Sequence, residues 1–130
     1  MDDQVKHPES QSQQALIRWA RLQAIPAAPD VEPGAKVADY LYAIGNGGKR
    51  SRIEAAIMKG EGVKAGVHDL HLPLARSGAI GLWIEMKASK GKLTDDQAAW
   101  RTRMLLAGHQ CVTCWDWESA ANHIKEYLRC

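Results

Sequence analysis

The chain has 130 residues, 45% hydrophobic and 25% charged, with a formal net charge of +2. This is the make-up of a single globular domain able to bury its own core, and the small net charge does not by itself demand a nucleic-acid partner. No apolar run reaches the length of a membrane span, "MDDQVKHPES" holds no signal-peptide core, and three cysteines suit a reducing compartment, so a cytoplasmic protein without a membrane partner is expected.

Residues 1–8 read as a flexible lead. Leu16, Ile17, Trp19 and Ala20 fall on one stripe at helical spacing, which predicts a first helix over Ser10–Gln23. "AIPAAPDVEPGAK" reads as a loop, "VADYLYAI" as a strand and "GNGGKRS" as a turn. A second helix opens near Ser51 and is stopped by Gly60 and Gly62. "VHDLHLP" and "GLWIEMKA" are the next two strands, joined through a turn at "RSG". The clearest helix is "LTDDQAAWRTRMLLAG": Thr94 with Gln97 makes a capping box, Asp95 and Asp96 suit the positive end of the helix dipole, and Gly108 ends it. Cys111 to Trp115 is a further core strand. "DWESAANHIKEYLRC" is a last helix, with Asp116 as its cap and Ala120, Ile124 and Leu128 on one side. Strands with helices before, between and after them predict an α/β fold, a mixed central sheet flanked by helices. "CVTC" has zinc-like spacing, but no second Cys/His pair accompanies it, and strand residues three apart face opposite sides.

Alternation on the strand puts Trp83, Glu85 and Lys87 on one face and Leu82, Ile84 and Met86 on the other. If the preceding strand pairs with it, Asp69 sits beside Glu85. Two carboxylates about 4 Å apart repel by roughly 4 kcal/mol at an effective dielectric of about 20. Such a pair needs a shared proton or a cation, and hard oxygen donors suit Mg²⁺ or Mn²⁺. Lys87 would add a positive charge that orients water or stabilises a phosphate, the parts that phosphodiester cleavage requires. The plainer alternative is a surface ion pair of Glu85 with Lys87 or Lys64, although Trp83, Ile84 and Met86 imply a largely covered strand. Lys49, Arg50, Arg52, Lys59 and Lys64 form a basic cluster, which serves either as a solvated face or as a phosphate contact.

Taken together, "EGVKAGVHDLHLP", "GLWIEMKASKGKLTDDQAAW" and "AGHQCVTCWDWESAANHIKEYL" resemble the VRR-NUC (virus-type replication-repair nuclease) family of the PD-(D/E)xK superfamily, from about Glu9 to Leu128. The resemblance implies one VRR-NUC-like domain over residues 1–130 with a restriction-endonuclease-like core. It also implies a Mg²⁺- or Mn²⁺-dependent DNA endonuclease, acting as a homodimer on branched DNA such as four-way junctions, in a bacterial or phage-infected cell. By the same matching, Asp69, Glu85 and the backbone carbonyl of Met86 are metal ligands, and Lys87 is the catalytic lysine. Glu9 of "ESQSQ" is the remaining acidic residue near the metal, and Gln97 the glutamine that opens the helix after the E-x-K strand. "NGGKRSR" matches the family's asparagine-glycine turn, which assigns DNA contacts to Asn46, Lys49, Arg50 and Arg52, joined by Lys64 and Lys90.

Glu9 reads equally as a helix-start glutamate favoured by the dipole, and Gln97 as a cap. His68 stands where the family's G-V-P-D has proline, and a solvated histidine is expected there. His71 shares the strand face of Asp69. Two rivals remain: a DNA-binding module that keeps the fold without turnover, and a small interaction domain whose acidic face binds a basic protein.

Overall fold

Alternation along two short extended segments decides how the molecule is layered. The computed structural model describes residues 8–45 and 51–129. The expected flexible lead lies outside them apart from Pro8, which opens a helix. The described elements are α1 Pro8–Leu22, β1 Tyr42–Ala43, α2 Arg52–Gly60, β2 Leu70–Leu72, β3 Leu82–Met86, α3 Asp95–Leu106, β4 Gln110–Cys114 and α4 Trp117–Arg129. A short 3-10 turn at Val37–Asp39 precedes β1.

The strands form one sheet in the order β1-β2-β3-β4. β2 runs antiparallel to both β1 and β3, while β3 and β4 are parallel, so the sheet is mixed. A parallel pair needs a crossover, and α3 supplies it. The β2–β3 connection turns back through Ser77 (φ 53°) and Gly78 (φ 77°). Two left-handed residues in succession match the twist of the flanking chains, and Arg76 and Ala79 bond each other across the turn at 3.0 and 2.8 Å.

Leu70, Leu72, Leu82, Ile84, Met86 and Cys114 are fully buried on one face. They meet Leu16 and Ala20 of α1 and Ala120, Ala121, Ile124, Tyr127 and Leu128 of α4 in one apolar cluster. Each large aliphatic side chain so covered contributes about 1.5–3 kcal/mol, which makes this layer the main hold on the sheet. Tyr127 satisfies its buried hydroxyl by donating to the Leu74 carbonyl at 2.6 Å. The opposite face carries His71, Trp83, Glu85 and Cys111 beneath α3. There Trp100 meets Trp83 edge-on at 5.3 Å and the Cys111 thiol donates to the Arg101 carbonyl. Cys111 and Cys114 therefore lie on opposite sides of the sheet.

Two expectations need correction. α1 begins at Pro8 and ends at Leu22 instead of spanning Ser10–Gln23, and proline is well tolerated in a first helical turn. "VADYLYAI" is not one strand: Val37 and Leu41 are both drawn into the core, so the chain coils between them and only Tyr42 and Ala43 pair with β2. α2 starts as predicted, with Ser51 and Glu54 capping each other at 3.0 Å, yet none of its side chains is buried. α4 is capped by Asp116, which accepts from the Ser119 N–H at 2.7 Å. Among the described residues, no helix is long and apolar enough to cross a membrane.

Candidate active site

The register that pairs Leu70 with Ile84 sets Asp69 opposite Glu85 when continued by one residue. The Lys87 N–H bonds the Cys114 carbonyl of β4 at 2.9 Å, so by strand alternation the peptide groups of Met86 turn the other way, toward Asp69. The Met86 N–H donates to Asp69 Oδ2 at 2.9 Å. Gly66, with φ 91°, makes the approach of α3 possible: a Cβ there would lie 2.5 Å from the Asp96 backbone. The loop carrying His68 and Asp69 is thereby pressed against the first turn of α3.

That turn delivers Gln97. Its Oε1 accepts from the Thr94 N–H at 2.9 Å and its Nε2 donates to Glu85 Oε2 at 3.0 Å. One amide closes the capping box and holds the glutamate. Lys87 Nζ lies 3.6 Å from the same glutamate oxygen.

Glu85 is 2% exposed. Burial first, and then the charge of Asp69, push its carboxyl up to about 7 against the opposing pull of Lys87. Asp69 is also raised, chiefly by burial and further by Glu9, while the Met86 N–H works the other way. Glu85 Oε1 is buried without a hydrogen-bond partner among the described residues. Two hard carboxylates held above their usual range by burial, one of them with an orphaned oxygen, are a donor set that fits a hard divalent cation. Among the described residues no three His, Cys, Asp or Glu side chains gather closely enough to hold an ion by themselves. Glu9 lies along the same cleft as Asp69 and Glu85 without closing a cage with them.

His68 is not the solvated residue expected. It is fully buried, with Nδ1 3.6 Å from Glu85 Oε1, and neither ring nitrogen has a hydrogen-bond partner among the described residues. Burial drives its pKa down to about 4, helped by Arg101 and Lys87. The spacing would allow an ion pair, but burial opposes charge on both partners. Burial therefore favours a neutral imidazole beside a carboxyl held above the usual glutamate range.

An open cleft of about 930 Å³ runs from Glu9 past Asp69 and Glu85 to Gln97, bordered by Lys59 of α2, Lys64 and Arg103. A smaller hollow of about 580 Å³ also reaches Asp69, along Glu9, Gln13, Ile17, Arg18 and Arg21. Lys64 is thus beside the site, whereas Arg52 and Lys90 are exposed and line neither hollow. Asn46, Lys49 and Arg50 lie outside the described residues. Arg18, Arg21 and Arg103 were not singled out by sequence. For Arg21 a signal exists, because Glu9, Gln13, Ile17 and Arg21 recur every four residues and so share one helix face.

Neither a family model nor a curated protein matches this chain. Among solved structures, a chain described as a "VRR_NUC domain protein" is similar, with a TM-score of 0.77 over 97% of this chain and 92% of that one, at 24% identity. The protein therefore has the fold of that VRR_NUC domain protein, an α/β architecture with a mixed four-stranded sheet flanked by helices.

Proposed function

We infer that this protein is a divalent-metal-dependent DNA endonuclease that hydrolyses phosphodiester bonds. The observation that carries the reading is the meeting of Asp69, Glu85 and Lys87 at the end of β3, with Gln97 fixed on the glutamate. The PD-(D/E)xK-like motif in the sequence and a fold shared with a protein whose description names a nuclease domain support it.

Bound Mg²⁺ or Mn²⁺ would neutralise phosphate charge and make a coordinated water more acidic. Asp69, Glu85 and the Met86 carbonyl would hold the ion, with Glu9 the remaining acidic residue beside it in the cleft. The Met86 N–H occupies one Asp69 oxygen and so fixes the orientation of the other. Gln97 and Lys87 both engage Oε2 of Glu85, while Oε1, beside the buried ring of His68, has no hydrogen-bond partner among the described residues. Lys87 brings a cation to the place where negative charge develops as water attacks phosphorus.

The DNA backbone would be gripped by Lys64, Arg52, Lys90, Asn46, Lys49 and Arg50, and by Arg103 at the cleft rim. Among the described residues no element offers itself as a base-reading helix, which favours recognition of DNA shape, as at a branch or four-way junction. A homodimer would set two sites against two strands. The exposed Ile53 and Ile57 of α2 give a second copy an apolar stripe to cover.

The test is cleavage of labelled linear, flap and four-way substrates with Mg²⁺ and with EDTA. Junction cutting is expected in Mg²⁺ alone and should fall at least about 100-fold in D69A and in K87A. Undiminished cutting by both variants would remove the assignment. The non-catalytic alternative draws on the absence, among the described residues, of three His, Cys, Asp or Glu side chains close enough to hold an ion. It predicts junction binding with no Mn²⁺ uptake in calorimetry.

A further inference from the structure

Two turns of the pleat from the carboxylates, the same sheet face carries a second gathering of polar groups. His71 of β2 and His109, just before β4, flank Gly81 at the start of β3. A Cβ at Gly81 would lie 3.0 Å from His109 Nδ1 and 3.2 Å from His71 Nε2. The two nitrogens thus close on one point from neighbouring segments, in a gap that exists because residue 81 has no side chain. Both atoms are buried, and neither has a hydrogen-bond partner among the described residues. Buried ring nitrogens are normally paired, so two orphans aimed into one gap call for an occupant.

We propose that His71 and His109 form a separate binding site for a zinc-class transition-metal ion, seated over the backbone of Gly81. Imidazole nitrogen suits Zn²⁺, Cu²⁺ and Ni²⁺ and is a poor match for the hard Mg²⁺ of an oxygen site. His71 Nδ1 lies 2.7 Å from the Tyr42 hydroxyl. With Nδ1–H donating to that oxygen, the Nε2 lone pair faces the gap, the outer hydrogen bond that typically orients a ligating histidine. The ring is stacked on Trp83 at 4.1 Å with 19° between planes, which fixes its direction. The centroids of the two histidine rings are 5.8 Å apart, and the nitrogens do not bond each other directly. Both side chains are half-buried while the two nitrogens themselves are covered, and among the described residues no third His, Cys, Asp or Glu joins them, so the two imidazoles are the protein ligands and the rest of the ion's shell is water that enters past the rings.

The test is calorimetric titration of the full chain with Zn²⁺ in a D69N/E85Q background, which silences the carboxylate centre and makes the result independent of the proposed nuclease activity. One Zn²⁺ per chain is expected. H71F, H109F and G81A should each weaken it by more than about tenfold. The phenylalanines keep an aromatic ring beside Trp83, and G81A keeps both histidines while plugging the gap with a methyl group. Zn²⁺ should raise the Tm of the background protein and leave that of the three variants unmoved. No Zn²⁺ uptake by the background protein would overturn the proposal, the gap then holding only water. Uptake unchanged in H71F and H109F would overturn it equally, by tracing the binding to another histidine. Should either phenylalanine variant fail to fold, unweakened binding by G81A is enough to refute the site.

Discussion

His68 and Glu85 oppose each other in their response to pH. Glu85 is raised from 4.5 to about 7 in the fold, so the folded chain binds the extra proton and this residue makes stability fall as pH rises from 4.5 to 7. His68 is depressed from 6.5 to about 4, so the unfolded chain binds the extra proton and stability rises across pH 4 to 6.5. Between pH 4.5 and 6.5 each state carries one proton on the pair, and the two slopes cancel. Asp69, also raised, adds a falling contribution in any variant that keeps it. Replacing His68 by leucine removes the rising half. Urea melts in EDTA should then show H68L losing on the order of 2 kcal/mol more than wild type between pH 4.5 and 7. Parallel pH profiles for the two proteins would rule the pairing out. At this scale the meeting of Asp69, Glu85 and Lys87 was legible in the sequence, because alternation puts Glu85 and Lys87 on one face and pairing of the two strands brings Asp69 beside them. His68 was not, since its burial depends on α3 closing over Gly66, a contact between segments far apart in the chain.

Among the elements, α3 joins stability to the site through one side chain. Thr94 and Gln97 share the capping box, but only Gln97 also reaches Glu85. T94A and Q97A should each cost about 1 kcal/mol in urea melts. Cleavage should survive T94A and fall at least about tenfold in Q97A. Equal activity of the two variants would show that the amide bond to Glu85 is incidental to turnover. The capping box was readable because it lies within four consecutive residues. The 3-10 turn was not: in "VADYLYAI" the aromatic and β-branched residues imitate a strand, while the core takes Val37 and Leu41, four apart. β1 is two residues long, pairing only with Leu70 and His71, because the chain before it is drawn into the core at Leu41.

For the whole molecule, the order of helices and strands made the layering legible, while the basic rim was only partly so. Arg21, Lys64 and Arg103 come from distant parts of the chain and meet around the hollows only after folding. A net charge of +2 hides that local field. Junction affinity should therefore fall steeply with salt. K64A and R103A should each lower the slope of log affinity against log salt by about 1 if each contacts a phosphate. Unchanged slopes in fluorescence-anisotropy titrations would move the DNA path elsewhere.

α2 borders the cleft yet plants no side chain in the core. Detaching it would leave the apolar layer between sheet, α1 and α4 whole, so its opening free energy lies well below that of global unfolding. Its amides should exchange with solvent long before those of β3. The wall of the cleft is then the part of the molecule that lifts at least cost, while the sheet that aims the carboxylates stays fixed beneath it.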